Sequence, residues 1–396
     1  MRGSTAGLPQ LPGTTKPKWY RLLGVLDALF ASVAVCPCVV GYWRSVWSLM
    51  DVYVYPQNPV ISAVISTCIG IGGHLFFSLS QNWFQRLLHP SSNRLLFYVG
   101  SRLYTECFAI VCVNGWRGPW LLLDIHSRKQ CFTVLATTMV GVVALVSIRG
   151  LRNVTAPPFI IVRDNVKGYF EVITMFRLSI QKSIGLYILD CLFSVVVVGV
   201  LVVFVWRGSW ILVDIFLYPE DLTRSAWGSL VIGYVAVVSA FLLQPAAKFL
   251  CDKASGTSRL LISDIVNLYA LFGTVNVWRG IWNLLEIYFI PDDVVLSCWI
   301  THVVSFSLLI LMSCSNSLLV RGVYIDAEEP AGKCMDFPCY YFRVMFQERQ
   351  LRKLRKIHTN KQGTYTSYDE KPNIDKSITI SVIHNIIVEN KSNTAS

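Results

Sequence analysis

Charge is the scarce commodity in this sequence. Only 15% of the 396 residues are Asp, Glu, Lys or Arg, against about a quarter in an ordinary soluble domain. Such a chain cannot wrap itself in a water-facing surface on all sides. The signatures of catalysis are missing as well. There is no phosphate-cradling glycine loop, no zinc-binding helix signature and no nucleophile elbow. The six histidines never fall at ligand spacing, and no Cys-x-x-Cys occurs. An enzyme with a familiar active site is therefore not expected, and no catalytic residue, cofactor or metal ligand is proposed from the sequence.

What is abundant is apolar: 54% of the chain. The apolar residues gather into blocks long enough to cross about 30 Å of hydrocarbon. The blocks are Leu22 to Tyr42, Val60 to Ser80, Leu95 to Val113, Cys131 to Ile148, Ile184 to Val205, Trp227 to Leu243, Leu260 to Val277 and Leu296 to Val320. Backbone in lipid must bond to itself, so each block predicts a helix. The expected fold is all-α: a polytopic membrane protein with eight transmembrane helices. The first block follows a polar stretch rich in Gly, Pro and Thr and is expected to stay in the membrane as a signal anchor.

The net charge of +11 could signal nucleic acid, but its placement argues for topology instead. With eight spans both termini share one side. That side holds most of the Lys and Arg, including Arg149, Arg152, Arg163, Arg177, Lys248 and Arg259. The positive-inside rule puts it in the cytosol. The sequons at Asn153 and Asn390 then face inward and are expected to stay unglycosylated. Most of the twelve cysteines lie within spans as small buried apolar groups. Cys131 and Cys298, near the outer ends of spans four and eight, could form a bridge.

A repeat gives the strongest signal. Its pattern is Trp-Arg-(Gly/Ser)-x-Trp-x-Leu-x-(Asp/Glu), beginning just after each odd-numbered span. The first two copies are Trp43, Arg44, Trp47, Asp51 and Trp116, Arg117, Trp120, Asp124. The next two are Trp206, Arg207, Trp210, Asp214 and Trp278, Arg279, Trp282, Glu286. Copies one and three also share Leu26-Asp27 with Leu189-Asp190, Tyr55-Pro56 with Tyr218-Pro219, and Gln81 with Gln244, all at one offset of 163 positions. Copies two and four share Asn114 with Asn276, and Arg94-Leu-Leu with Arg259-Leu-Leu. This predicts two pseudo-symmetric four-helix halves, each made of two helical hairpins. The expected layout is a cytosolic segment over 1–20, a first half over 21–150 and a cytosolic linker over 151–183. A second half follows over 184–322, then a basic cytosolic tail over 323–396.

Within the motif, both Trp and the acid recur every four residues and share one helix face. Trp suits the headgroup level. The pattern predicts a short helix at the outer interface, running from the Arg to about Tyr53, His126, Phe216 or Tyr288. The Arg and the acid of each copy are expected to pair along one side, since both are costly near lipid otherwise. The motif is either a structural lock on the hairpins or a ring of acids selecting cations at a vestibule. Equal repetition favours the lock.

Ionisable residues inside spans are functional candidates by default. Asp27 and Asp190 are matched across the halves, with snorkelling toward Arg21 or Lys182 as the plain alternative. Arg102 and Glu106 are four apart and are expected to pair, with Asp264 able to join them. His74 and His302 are expected to bond neighbouring helices. In the tail, Arg349, Arg352, Lys353, Arg355 and Lys356 interleave with Leu351, Leu354 and Ile357. That pattern predicts a basic amphipathic helix on anionic inner-leaflet lipid.

The eight spans and the repeated Trp-Arg-Gly-x-Trp-x-Leu-x-Asp segments, over roughly Trp19 to Tyr324, resemble the Fuseless family of animal membrane proteins. The resemblance implies a multi-pass protein of the presynaptic plasma membrane. It also implies a part in localising voltage-gated calcium channels at active zones, and so in vesicle exocytosis, with channel or active-zone proteins as partners. The family pattern supplies no catalytic residues. Two functions remain: a non-enzymatic membrane organiser or, as the alternative, a solute or ion transporter or channel with its site between the duplicated halves.

Overall fold

The computed structural model describes residues 19–127, 129–166, 168–328 and 335–365, with side chains as far as 353. Among these the chain is helical, with no strand. Seven helices are long and apolar enough to cross a membrane: α1 (Tyr20–Tyr53), α2 (Pro59–Leu79), α4 (Arg94–His126), α6 (Ile184–Phe216), α7 (Leu222–Lys253), α8 (Gly256–Tyr288) and α9 (Val294–Leu311). Another apolar helix, α5 (Cys131–Ser147), has 17 residues. A short α3 (Gln81–Leu87) and a polar α10 (Phe342–Tyr365) complete the set.

Local sequence explains where the helices begin. Asn58, Asn93, Asp221 and Asp293 cap α2, α4, α7 and α9, their side-chain oxygens accepting first-turn N–H groups. Three of the preceding turns pass through a left-handed residue followed by proline: Tyr55-Pro56, Tyr218-Pro219 and Ile290-Pro291. Proline cannot continue the helix, so the chain must turn there. Matched π-helical stretches interrupt α1 at Ala31–Val35 and α6 at Phe193–Gly199.

Two expectations of local structure change. The motif is not a separate interfacial helix; it forms the last turns of α1, α4, α6 and α8, which run unbroken through it. The apolar block expected to span as far as Val320 leaves the helix at Leu311, because Ser313 turns left-handed and Asp164 captures the following turn.

The motif helices α1, α4, α6 and α8 form the inner set. Each is covered mainly by the outer helix that precedes it: α2 on α4, α5 on α6, α7 on α8, and finally α9 back on α1. The packed pairs are therefore not the covalent hairpins; each hairpin hands its outer helix to the next. The motif glycines permit this. A Cβ at Gly208 would overlap the Thr138 hydroxyl, and one at Gly280 would stand 2.8 Å from the Leu230 backbone and side chain.

Two irregular segments, residues 150–164 and 313–326, are buried along most of their length. They cap each other. Asp164 accepts N–H groups of Ser315 (3.1 Å) and Asn316 (2.9 Å), opening the 3-10 turn Ser315–Leu318. Asp326 accepts those of Leu151 (2.7 Å) and Arg152 (2.9 Å), opening the turn Leu151–Val154. The reciprocity extends to backbone bonds from Asp164 to Ser313 and from Asp326 to Arg149. Buried non-helical backbone must find internal partners, and each segment supplies the other's.

Leu26–Cys339 form one compact unit. The other unit combines, among the described residues, 19–25 with 340–365. In it, Trp19 packs edge-on against Phe346 at 4.6 Å, and Gln347 donates to the Tyr20 hydroxyl at 3.1 Å.

Candidate functional site

The four copies of the motif converge. Trp43, Trp116, Trp206 and Trp278 form a closed square of edge-to-face indoles, with centroids 5.5, 5.4, 5.3 and 5.8 Å apart around the circuit. One helical turn further along, Trp47, Trp120, Trp210 and Trp282 repeat the square at 5.6, 6.1, 5.9 and 6.0 Å. Edge-to-face contact matches the electropositive rim of one ring to the electronegative face of the next. The eight indoles alone line a cavity of about 170 Å³.

The buried segments close the square from below. The indole N–H groups of Trp206, Trp278 and Trp43 donate to the carbonyls of Val154 (2.8 Å), Pro157 (2.8 Å) and Leu318 (3.1 Å). An indole N–H buried in an apolar wall needs such an acceptor, so the loops and the square fix each other.

Charge pairs surround the rings, and they run between copies. Arg117 reaches Asp51 at 2.7 Å, Arg207 reaches Asp124 at 2.8 Å and Arg279 reaches Asp214 at 2.7 Å. Arg44 closes the circuit toward Glu286 at 4.0 Å. The expected pairing within each copy is thus replaced by pairing with the preceding copy. A separation of seven residues is about 10 Å along a helix axis, too far for direct contact, whereas the neighbouring helix brings its acid alongside. The guanidinium groups are only 1–2% exposed, the carboxylates 25–48%. Lys129 stands 3.9 Å from Asp124, itself largely exposed.

Serines of the outer helices complete the arginine sockets. Arg117 donates to Ser66 (2.6 Å) and Ser62 (2.9 Å), and Arg279 to Ser229 and Ser225, both at 2.7 Å. Sequence reasoning passed over these serines. Yet Ser62 and Ser66 are matched to Ser225 and Ser229 at the same 163-residue offset as the motif, which was a usable signal.

The intramembrane candidates do not gather into one site. Asp190 is fully engaged with its own connecting loop: Thr174 Oγ1 donates at 2.6 Å, and the N–H groups of Phe176 and Leu178 at 3.0 and 3.2 Å. It does not snorkel toward Lys182. Asp27 is completely buried. Arg102 and Glu106 do not pair with each other. Arg102 takes Asp164 at 3.3 Å, and Glu106 takes His302 at 2.9 Å. Asp264 joins neither, and its Oδ1 is buried without a hydrogen-bond partner among the described residues. His74 lies edge-on to Phe108 and lines a cavity of about 70 Å³ with Trp116, Thr174, Ser194 and Arg321.

Elsewhere, Cys131 and Cys298 are free thiols, the latter buried. Asn153 is buried and its amide is committed to Gly150, Tyr324 and the Tyr324 N–H, which leaves nothing for a glycan to join. Burial raises the Asp326 carboxyl above the usual carboxylate range, partly offset by the Arg152 and Leu151 N–H groups. In α10, Arg349, Arg352 and Lys353 are exposed. The side chains of Arg355 and Lys356, like Asn390, lie outside the described residues.

A protein-family model described as Fuseless matches residues 22–319. No curated protein and no solved structure matches the chain.

Proposed function

The chain belongs to the Fuseless family, and on that premise we propose that it is a non-enzymatic organiser of the presynaptic membrane. In this reading it helps localise voltage-gated calcium channels and so supports vesicle exocytosis. It crosses the plasma membrane eight times, with both termini cytosolic and its two four-helix halves related by pseudo-symmetry. Seven long apolar helices already mark a multi-pass membrane protein. The eighth, Cys131–Ser147, would reach about 26 Å, enough for a slightly thinned bilayer. The basic residues of α10 would rest on anionic inner-leaflet lipid.

The observation that carries the organiser reading is closure. The inner helices meet at an indole square, three of whose four N–H groups are tied to buried loops, and the matched acid Asp190 is engaged by its own loop. A carrier of this duplicated kind would instead keep its acids free at a shared cavity. The test uses purified protein in liposomes, wild type beside the double substitution Asp27→Asn, Asp190→Asn. The organiser reading expects no saturable ion or solute flux from either. A flux that the double variant loses would establish the transporter reading in its place. In neurons lacking the protein, calcium-channel clusters at terminals should disperse and return on re-expression.

A further inference from the structure

We infer that the double tryptophan square is a binding site: an aromatic cage for an alkylated ammonium group, entered from the end of the bundle that carries the acids. Size, wall chemistry, charge and rigidity of the ring all fit such a group.

Size comes first. A cavity of about 170 Å³ is close to the roughly 150 Å³ that accommodates a benzene-sized molecule. It suits a group of five or six heavy atoms. Centroid separations of 5.3–6.1 Å along the sides of both squares put the central axis about 4 Å from every ring, inside the range of about 6 Å over which a cation is drawn to an indole.

The walls then select the ligand. They offer neither carboxylate nor carbonyl oxygen, so a hydrated metal ion would lose its water without replacement. They offer an anion no cationic side chain, and half of the eight indole N–H groups are already engaged, three with loop carbonyls and that of Trp282 with Glu286 at 2.8 Å. A trimethylammonium head carries its charge on a greasy, weakly hydrated surface and forfeits little on entering.

Charge at the mouth has the matching sign. Asp51, Asp124, Asp214 and Glu286 each lie one turn beyond an outer-square tryptophan on the same helix face. Their carboxylates are 25–48% exposed while the paired guanidinium groups are buried at 1–2%. An approaching ligand therefore meets the negative half of each pair, with the exposed Lys129 as an opposing group 3.9 Å from Asp124 at one corner.

Rigidity completes the case. The inner square is bolted to the loops below, while the outer-square tryptophans are half-buried and form the opening. A cage already assembled spends no binding energy on ordering its walls.

The test is equilibrium dialysis of labelled choline and tetramethylammonium against the full chain in nanodiscs, with 3,3-dimethyl-1-butanol, the uncharged isostere of choline, as competitor. Both cations should bind saturably at one site per chain, and the neutral alcohol at least tenfold more weakly. Trp210→Leu, in the outer square, should weaken binding tenfold or more, whereas Trp83→Leu, exposed and outside both squares, should leave it unchanged. Absence of saturable cation binding to wild type would overturn the inference, and so would equal binding of the neutral isostere. The isostere comparison needs only wild-type protein, so it decides the matter even if Trp210→Leu does not fold.

Discussion

Three junctions of the ring are alike, and the fourth is slack. Between consecutive copies the arginine meets its acid at 2.7–2.8 Å. Between the first copy and the last, Arg44 and Glu286 stand 4.0 Å apart. The arginine sockets are less uniform: two serines at 2.9 Å or less hold Arg117 and two at 2.7 Å hold Arg279, Arg207 donates to the Leu123 carbonyl at 3.2 Å, and one serine at 3.4 Å holds Arg44. Arg44 Nε has no hydrogen-bond partner among the described residues, because Glu286 accepts instead from Trp282. The slack junction is also the one where no loop joins the two copies. A chain that builds a ring from successive repeats must close it by docking its ends, and here the docking relies on the indole squares and on α9 against α1 rather than on charge.

That contrast can be broken or sharpened by substitution, beginning where the effect is largest. Gly208→Leu drives a branched side chain into Thr138 at the crossing of α5 and α6. Overpacking of that severity should abolish a monodisperse folded peak in size-exclusion chromatography. Asp214→Ala strands the buried Arg279 and should cost on the order of 2–4 kcal/mol, read as a lowered unfolding midpoint in detergent. Asp326→Ala removes the acceptor of two N–H groups at the loop turn and should cost about 1–2 kcal/mol. It should also raise protease sensitivity around residues 150–154. Glu286→Ala, at the slack junction, should cost under about 1 kcal/mol by the same unfolding assay, because its carboxylate already stands 4.0 Å from Arg44 and leaves Arg44 Nε unbonded. If Glu286→Ala proved as damaging as Asp214→Ala, the distinction between tight and slack junctions would fail.

Much of this architecture was legible in the residues. Four copies of one motif, each after an apolar block, already required Trp43, Trp116, Trp206 and Trp278 to share a depth, and the squares are the consequence. The helix ends near Tyr53, Phe216 and Tyr288 followed from Pro56, Pro219 and Pro291 just beyond them. What the residues could not convey was which neighbour each group would meet. Arg and acid seven apart on a helix look paired on a one-dimensional pattern, but reach decides otherwise. Arg102 and Glu106, four apart, had suitable geometry for each other and were outbid by Asp164 and His302 from distant segments. The buried loops were hidden for the same reason. Residues 151–164 carry Asn, Arg and Asp and read as part of a cytosolic linker, while residues 313–320 read as the end of the last span, until the reciprocal caps that satisfy their polar groups are seen.

In the ring each arginine serves the acid of the preceding copy. A double-mutant cycle measures this directly, with unfolding free energies for Arg279→Met, Asp214→Ala and the pair, beside Arg207→Met, Asp214→Ala and their pair. Residues in direct contact couple by about 0.5–3 kcal/mol. The structure calls for Arg279 and Asp214 to couple near the top of that range, and for Arg207 and Asp214, which share a helix, to be additive within about 0.5 kcal/mol. Strong coupling of Arg207 to Asp214 with additivity of Arg279 and Asp214 would contradict the ring.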